Sequence, residues 1–269
     1  MRKRVLITGI TGQDSSYLVE LLLEKDYEIY GLIRRTSHSA TDRLAHCLDR
    51  IRLIAGDLTD QGSLIRAMRL SKPEEIYNLA SQSFVAHSFE APIHTGDVTG
   101  LGALRVFEAA RLTCPHARIY QASSSEQFGN SSMTWQDEET PFNPVSPYGC
   151  AKTFAHFCAV MYRQSYKLFI ACGIAFNHES PRRGKEFVTQ KIAQGVAAIH
   201  RGDCATLTLG NLEARRDWSH ARDIMEAAWK MLQQEIPSDY VLASGESHSV
   251  KEFAQRAFHA VGLNASGYI

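Results

Sequence analysis

The sequence lacks an excess of charge of either sign. Its 29 lysine and arginine residues balance 29 aspartate and glutamate residues over 269 positions. Nucleic acids and anionic membranes select proteins with a basic surface, so we expect neither as a partner. The sequence also lacks an apolar run near the length of a membrane span. The short run Val5–Ile7 behind the basic N-terminus predicts a strand rather than a signal sequence.

Grouped metal ligands are also missing. The six cysteines form no Cys-x-x-Cys pair, and the 11 histidines form no His-x-x-x-His pair. We therefore predict no metal site. Scattered thiols are typical of a reducing compartment, so we expect a cytoplasmic protein.

Short β-rich runs alternate with helical runs along most of the chain. The apolar pattern predicts strands at residues 4–7, 27–33, 51–56, 75–78, 118–122, 168–173, 206–209 and 240–243. It predicts helices at residues 16–25, 64–69, 100–112, 148–166, 188–200 and 222–233. This alternation is typical of an α/β fold with a doubly wound parallel sheet. We expect one domain at 1–175 with an interleaved stretch at 215–245, and a smaller lobe at 176–214 and 246–269.

The predicted helix at 148–166 has apolar residues around most of its circumference, including Phe154, Phe157 and Met161. A helix of this kind is buried on both sides. One face can pack on the sheet, and a second copy of the chain would cover the other, so we expect a homo-oligomer formed through this helix. The alternative is a helix buried on all sides within one chain.

The turn after the first strand has the composition of a dinucleotide-binding loop. Gly9 permits a tight turn, and Gly12 lets the backbone approach a pyrophosphate that rests on helix amides. Ser15 occupies the third position, where glycine is usual and where helix and strand pack closely. We predict that a dinucleotide contacts Gly9, Ile10, Thr11, Gly12, Gln13 and Asp14.

The end of the second strand favours NADP over NAD. An NAD enzyme usually carries a carboxylate there, which binds the ribose 2′-hydroxyl. This chain has Arg34 and Arg35 followed by Thr36 and Ser37, and two guanidinium groups can pair with a 2′-phosphate. The alternative is a solvated basic strand end without a ligand.

Two further strand ends complete the predicted cofactor crevice. Asp57 and Leu58 follow the third strand, where the adenine amino group would lie. The stretch after the fourth strand is expected to line the nicotinamide side, and it comprises Leu79, Ala80, Ser81, Gln82 and Ser83.

Four residues can carry chemistry. Tyr148 and Lys152 stand at i and i+4 and share one helix face. An ammonium beside a phenol favours the phenolate, so the tyrosine can take a proton from a sugar hydroxyl. Ser124 and Glu126 precede this pair. Each residue also has an ordinary interpretation: a surface tyrosine–lysine pair, a serine that ends a strand, and a glutamate in a solvated turn.

These residues, in this order, resemble the extended short-chain dehydrogenase/reductase family. Within it, the chain resembles the GDP-mannose 4,6-dehydratases from Val5 to about Gly262. The most specific stretches are Thr8–Asp14, Phe176–Arg183 with Phe187–Ile192, and Leu209–Trp218.

The resemblance implies a Rossmann fold and an NADP-dependent lyase that converts GDP-mannose to GDP-4-keto-6-deoxy-mannose. It implies that Tyr148, held by Lys152, deprotonates the C4 hydroxyl while Ser124 binds the developing oxyanion. Glu126 then removes the C5 proton and helps to expel the C6 hydroxyl as water, and the hydride taken from C4 returns to C6. The resemblance also assigns cofactor contacts to His94, His178 and Arg183, and a GDP-sugar pocket to Ser83, Asn177, Val188, Lys191 and Arg216.

The chain departs from the family at several positions. Ser15 replaces a glycine, Ser124 a threonine and His94 a tyrosine, and Phe128 replaces the tyrosine of the family's Ser-Glu-Leu-Tyr-Gly. The family also continues beyond the position of Ile269 with an Arg-Pro-x-Glu motif at the nucleotide pocket, so we expect the smaller lobe to be truncated. Two alternatives therefore stay open: a shortened, non-catalytic NADP-binding homologue, and a reductase or epimerase of a related nucleotide sugar.

Overall fold

A computed structural model describes residues 2–35 and 41–269. These residues form two compact units. Of the described residues, 2–35, 41–175 and 221–242 form the first unit, and 176–220 and 243–269 form the second. The inner bounds differ from the expected 215 and 245, because residues 215–220 form a strand that pairs within the second unit.

The helices and strands follow one another in the order β1 (Arg4–Thr8), α1 (Gln13–Glu24), β2 (Glu28–Ile33), β3 (Arg52–Ala55), α2 (Gln61–Ser71), β4 (Glu75–Asn78), α3 (Val85–Glu90), α4 (Pro92–Thr95), α5 (Gly102–Thr113), β5 (Arg118–Ser124), α6 (Pro147–Tyr166), β6 (Ile170–Ala175), β7 (Asn177–Glu179), α7 (Val188–Arg201), β8 (Arg215–His220), α8 (Ala221–Met231), β9 (Asp239–Leu242), β10 (Ser247–Ser249) and α9 (Val250–Ala260). Short 3-10 turns lie at Asp42–Leu44, Leu48–Arg50, Ser125–Gln127 and Ala265–Gly267, and a π-helical turn at Gly96–Leu101 leads into α5.

The first unit is built on a seven-stranded sheet in the order β3-β2-β1-β4-β5-β6-β9. All its strand pairs are parallel. The chain reverses its direction of winding between β1 and β4, which opens a crevice at the carboxyl ends of these strands. The predicted α/β fold with a doubly wound parallel sheet is therefore confirmed.

Alternating side chains of the strands feed two cores, one on each face of the sheet. One core joins Leu6, Ile76 and Ile119 to apolar residues of α2, α5 and α6. The other joins Val5, Ile7 and Tyr77 to residues of α1 and α8. Because both faces are covered, the strands read as nearly continuous apolar runs.

The second unit has its own small sheet, ordered β10-β8-β7, and its own core. Ile192 and Val196 of α7 pack there with Ala254 and Phe258 of α9. The strand predicted at 206–209 is wrong: these residues are irregular, and Leu207 enters the core while its amide donates to the Tyr268 carbonyl.

Helix α6 is buried on one face only. Ala155, Ala159 and Tyr162 lie in the core, whereas Phe154 and Phe157 are 43% and 59% exposed. The alternative of a helix buried on all sides within one chain is therefore wrong for the described residues. Within the described residues, no helix combines the length and the apolar character of a membrane span.

Candidate active site

The turn between β1 and α1 is shaped by Gly9 and Gly12. Gly9 has a φ of +67°, and the Gly12 amide donates to its carbonyl at 2.9 Å. A Cβ at Gly9 would lie 2.8 Å from Cα of Ala80, so only glycine fits where the loops after β1 and β4 meet. The N-cap position of α1 is Gly12, which has no side chain to cap the helix. The N-terminus of a helix is a place where the dipole and the backbone amides favour an anion.

Ser15, which stands at the usual third glycine, fits without crowding. Its side chain is buried, and its hydroxyl donates to the Gly9 carbonyl at 2.8 Å. The extra hydroxymethyl group therefore adds a bond to the turn instead of separating helix and strand.

The other residues of the predicted loop differ in what they can present. The Ile10 side chain is fully buried against Gly31, so only its backbone can meet a ligand. Gln13 donates to the Asp14 carboxylate at 3.0 Å. The Thr11 carbonyl accepts from the guanidinium of Arg43 at 3.2 Å. Arg43 was missed by sequence reasoning, and it brings a positive charge to the predicted phosphate site.

The predicted adenine end carries charges of both signs. Arg34 and Arg35 are exposed after β2, and the predicted contacts Thr36 and Ser37 lie outside the described residues. Partial burial acts to raise the pKa of Asp57, but hydrogen bonds from Thr59 and the charges of Arg34 and His94 hold that pKa below its usual value. Asp57 thus lies within electrostatic range of two predicted cofactor contacts.

The remaining crevice residues are held by local hydrogen bonds. Leu58 packs in the core, and its carbonyl accepts from Arg105 at 3.3 Å, so its side chain is not available to a ligand. The amides of Leu79 and Ala80 both donate to the Thr8 hydroxyl at 3.1 Å. Within the rest of this loop, Ser81 and Gln82 are partly buried and Ser83 is exposed.

Ser124 and Glu126 sit on one rigid turn at the end of β5. The Ser124 hydroxyl accepts from the Glu126 amide at 3.2 Å, and the Gln127 side chain accepts from the Ser124 amide at 2.8 Å. This reciprocal pair is a capping box. Ser124 therefore does end a strand, and its hydroxyl still keeps a proton to donate.

Helix α6 begins beside that turn. The Ser146 side chain caps the helix through the Gly149 amide at 3.0 Å, and Pro147 opens its first turn. A Cβ at Gly149 would lie 2.7 Å from the Glu126 carbonyl, so glycine lets helix and turn approach closely. Tyr148 is thereby brought to the turn that carries Ser124 and Glu126.

Lys152 is buried one turn further along α6. Its ammonium donates to the Ala122 carbonyl at 2.7 Å and lies 5.6 Å from the centroid of the Tyr148 ring. Burial lowers the pKa of Lys152 to about 8, although the negative charge of Asp14 acts in the opposite direction. The structure thus places an ammonium next to the phenol, between β5 and the dinucleotide loop.

The first unit therefore brings the four predicted catalytic residues to the same strand end. The turn after β5 supplies a hydroxyl and a carboxylate, and the first two turns of α6 supply a phenol and an ammonium. Such a set can take a proton, stabilise an oxyanion and move a second proton.

The second unit holds the other predicted site residues. His178 bonds through Nδ1 to the Phe176 carbonyl at 2.7 Å, and since a carbonyl only accepts, Nδ1 carries the proton. The Arg183 guanidinium lies 3.5 Å from the Phe187 ring centroid and 3.2 Å from the Glu179 carboxylate. Of the predicted sugar-nucleotide contacts, Asn177 is partly buried, while Val188, Lys191 and Arg216 are exposed.

Within the described residues, one group of potential metal ligands lies outside the predicted site. His156, Cys172 and Asp239 offer ligand atoms within 4.8 Å of one another. Arg163 already binds both oxygens of Asp239, at 2.7 and 2.9 Å, and burial holds the pKa of Cys172 well above its usual value. A paired carboxylate and a protonated thiol are poor ligands, so we interpret the group as a bonded cluster between α6 and the sheet.

The comparisons with known proteins agree on one family. The family model described as GDP-mannose 4,6 dehydratase matches residues 6–268. GDP-mannose 4,6 dehydratase of Drosophila melanogaster is 50% identical over 95% of this chain and 67% of its own length. GDP-mannose 4,6 dehydratase 2 of Arabidopsis thaliana is 51% identical over 100% of this chain and 75% of its own length.

The solved structure of Thermus thermophilus UDP-glucose 4-epimerase in complex with NAD has a similar fold. Its TM-score is 0.84 at 27% identity, over 98% of this chain and 84% of that chain. The fold is therefore shared with a protein that binds a nicotinamide dinucleotide.

Proposed function

The chain belongs to the GDP-mannose 4,6-dehydratase family, and on that premise we propose that it is a lyase that dehydrates GDP-mannose to GDP-4-keto-6-deoxy-mannose. The observation that carries the proposal is the meeting of Ser124, Glu126, Tyr148 and Lys152 at the end of β5. Relatives near 50% identity carry the dehydratase name, which favours this activity over a reductase, an epimerase or a non-catalytic homologue.

The residues at the β1–α1 turn fit a nicotinamide dinucleotide. The backbone at Gly9 leaves no room for a Cβ, and the N-terminus of α1 follows this turn with Arg43 bonded to Thr11, a combination that favours an anion. When bound, the dinucleotide would accept the hydride from C4 and return it to C6 after water is lost. We propose that it contacts Gly9–Asp14, the loop Leu79–Ser83, His94, Lys152, His178 and Arg183.

We propose NADP as the preferred dinucleotide. Arg34 and Arg35 are exposed at the end of β2, where their charges can pair with a 2′-phosphate. Asp57 lies close enough to Arg34 that the positive charge acts to lower the pKa of the Asp57 carboxyl. A binding titration tests the preference: NADP should bind at least tenfold tighter than NAD, and Arg34→Ala with Arg35→Ala should remove the difference.

Tyr148 acts as the base for the C4 hydroxyl. The neighbouring Lys152 ammonium favours the phenolate, and its bond to the Ala122 carbonyl keeps it beside the ring. The Ser124 hydroxyl donates to the oxygen that becomes the C4 ketone. Once C4 is a ketone, the C5 proton is acidic enough for a carboxylate to remove.

Glu126 acts as that second base. It removes the C5 proton and then donates to the departing C6 hydroxyl, which leaves as water. The capping box ties the Glu126 backbone to the Ser124 side chain. One rigid turn therefore carries both the second base and the oxyanion donor. The order is obligatory, because C5 is not acidic before C4 is oxidised.

We propose that Ser83 contacts the sugar nucleotide. We assign Asn177, Val188, Lys191 and Arg216 to this role, because a lysine and an arginine suit a diphosphate. The exposure of Val188, Lys191 and Arg216 supports their access to a ligand.

A deuterium-transfer experiment tests the reaction. Purified protein with NADP and GDP-[4-²H]mannose should form a 4-keto-6-deoxy sugar that carries the deuterium at C6. Glu126→Gln should abolish product while NADP binds as in the wild type. Tight NADP binding without any turnover of the wild-type chain would favour the non-catalytic homologue.

We also propose a cytoplasmic homo-oligomer. The outer face of α6 exposes Phe154, Phe157 and Met161, which a second copy of the chain would cover. Sedimentation should show a dimer or larger species for the wild type, and monomers for Phe157→Glu. The cytoplasmic location rests on the scattered cysteines alone.

A further inference from the structure

A chain of buried side-chain hydrogen bonds crosses three neighbouring strands, at the carboxyl ends of β1 and β4 and within β5. It starts at Thr8 on β1, passes through Asn78 on β4 and reaches Gln121 on β5. The Thr8 hydroxyl lies 2.7 Å from Asn78 Oδ1, and Asn78 Nδ2 lies 2.7 Å from Gln121 Oε1. All three side chains are at most 3% exposed. The steps assigned to the four catalytic residues do not use any of these groups.

The direction of this chain follows from the Thr8 hydroxyl. Its oxygen accepts from the amides of Leu79 and Ala80, both at 3.1 Å, which occupies its two lone pairs. Its single proton must then go to an acceptor, so the atom of Asn78 that faces it is the carbonyl oxygen.

Each later amide is oriented by the one before it. Because Asn78 turns its oxygen to Thr8, its NH₂ group donates to the oxygen of Gln121. Gln121 must then direct its own NH₂ group onward, and it donates to the Ala122 carbonyl at 3.1 Å. The Thr8 hydroxyl, whose oxygen already accepts two hydrogen bonds, thus determines the orientation of both side-chain amides.

The chain ends at the group that holds Lys152. The Ala122 carbonyl accepts from Gln121 and also from the Lys152 ammonium at 2.7 Å. A carbonyl oxygen has two lone pairs, so both of its acceptor sites are used. The place of the ammonium is therefore coupled, through one carbonyl, to the loop after β4 at the other end of the chain.

We propose that Thr8, Asn78 and Gln121 are positioning residues, which hold the Lys152 ammonium and the Leu79–Ser83 loop in a fixed position relative to each other. The proposal rests on the proposed dehydratase function for its effect on catalysis. Its structural part, the coupling of Lys152 to Thr8, can be measured without turnover. Asp14 and Tyr148 are the other titratable groups near the ammonium.

The first test compares Thr8→Val with Thr8→Ser. Valine has the shape of threonine but removes the hydroxyl, whereas serine keeps it. In Thr8→Val, the Leu79 and Ala80 amides should exchange with solvent at least tenfold faster, and kcat should fall about tenfold with KM for the sugar within twofold. Thr8→Ser should restore both. Equal exchange rates and equal kcat in the two variants would overturn the proposal.

The second test uses Asn78→Asp to reverse the hydrogen bonds between residue 78 and the Ala122 carbonyl. A carboxylate has no N–H, so Gln121 must turn its NH₂ group toward residue 78 and its oxygen toward the Ala122 carbonyl. The loss of that donor and the new negative charge should raise the pKa of Lys152 by about one unit. A ¹³Cε-lysine NMR titration measures this shift. Asn130→Asp, at an exposed position, is the matched control and should leave the Lys152 titration unchanged.

The outcomes separate the two proposals. A wild-type chain that makes no product, but whose exchange rates and Lys152 titration respond as described, overturns the dehydratase function and supports the coupling. A wild-type chain that turns over, but whose Lys152 titration is the same in Asn78→Asp and Asn130→Asp, overturns the coupling. If Asn78→Asp does not fold, the Thr8 pair decides.

Discussion

The two units hold their predicted functional residues in different ways. In the first unit, Ser124 and Lys152 are buried, and each is bonded to a neighbouring backbone or side chain. In the second unit, Lys191 and Arg216 are exposed on the first turn of α7 and on β8. Groups that stabilise a transition state must be in place before the reaction, whereas groups that recognise a ligand can become ordered on binding. Substitutions of the catalytic residues in the first unit should therefore lower kcat, and substitutions of the ligand-binding residues in the second should raise KM.

The largest effect is expected from Tyr148→Phe. It removes the hydroxyl assigned as the C4 base and keeps the ring, so kcat should fall about 10³-fold. The dissociation constant for NADP should change less than twofold, as measured by fluorescence titration. Tyr166→Phe, at the other end of α6, is the control and should retain full activity. A fall in kcat of less than tenfold in Tyr148→Phe would contradict the catalytic role assigned to the first unit.

Gly9→Ala should weaken NADP binding by at least tenfold. The added Cβ would lie 2.8 Å from Cα of Ala80, and the φ of +67° is strained for alanine. Gly202→Ala separates the two causes, because Gly202 has a φ of +80° but faces open space in the second unit. Calorimetry should show weakened NADP binding for Gly9→Ala alone. Equal affinities in the two variants would mean that the loops after β1 and β4 need not meet for cofactor binding.

Lys152 should set the alkaline limit of activity. Its pKa is about 8, so the ammonium that favours the Tyr148 phenolate is lost above this pH. We expect kcat/KM to fall above about pH 8, by up to tenfold per pH unit. Lys152→Met should show low activity without this alkaline limb. A wild-type profile that stays flat to pH 10 would contradict the assigned role.

The same shift has a defined sign for stability. The pKa of Lys152 in the folded chain, about 8, lies below its ordinary value of 10.5. Between these values the unfolded chain binds more protons than the folded chain. The contribution of Lys152 to the free energy of unfolding therefore increases as pH rises. The burial of Lys152 is therefore destabilising below about pH 8, and this penalty is lost between pH 8 and 10.5.

Substitutions in the second unit should separate binding from chemistry. Lys191→Ala and Arg216→Ala should each raise KM for GDP-mannose about fivefold to tenfold, because each removes a charge from a diphosphate. The kcat of each variant should stay within twofold of the wild type. Lys185→Ala, an exposed lysine in the same unit, is the control and should leave KM unchanged. A fall in kcat with unchanged KM in Lys191→Ala or Arg216→Ala would contradict the binding role assigned to the second unit.

Sequence reasoning found what depends on local pattern. The alternating apolar runs gave the parallel sheet, since strands buried on both faces differ clearly from amphipathic helices. Gly9 and Gly12 stand at fixed distances from the first strand, so their loop was recognisable. The strand β8 was missed because Arg215–His220 is polar and pairs within a small sheet that offers little apolar burial.

What the sequence could not supply depends on residues far apart in the chain. Arg43 reaches the Thr11 carbonyl from a stretch without strand or helix periodicity. Thr8, Asn78 and Gln121 are separated by 70 and 43 residues and meet only because β1, β4 and β5 are neighbours in the sheet. Their hydrogen bonds have no signal in composition or spacing.

The smallest effect is expected from Ser15→Gly. The change removes the bond from the Ser15 hydroxyl to the Gly9 carbonyl and places a glycine in the first turn of α1. The Gly9 carbonyl keeps its bond from the Gly12 amide, so the free energy of unfolding should fall by only about 1 kcal/mol. Ser16→Gly is the control in urea denaturation, because Ser16 also donates to a backbone carbonyl but at Gln13. If Ser15→Gly alone also weakens NADP binding, the serine helps to shape the phosphate loop. If both variants bind NADP equally, the hydroxyl at residue 15 serves stability only.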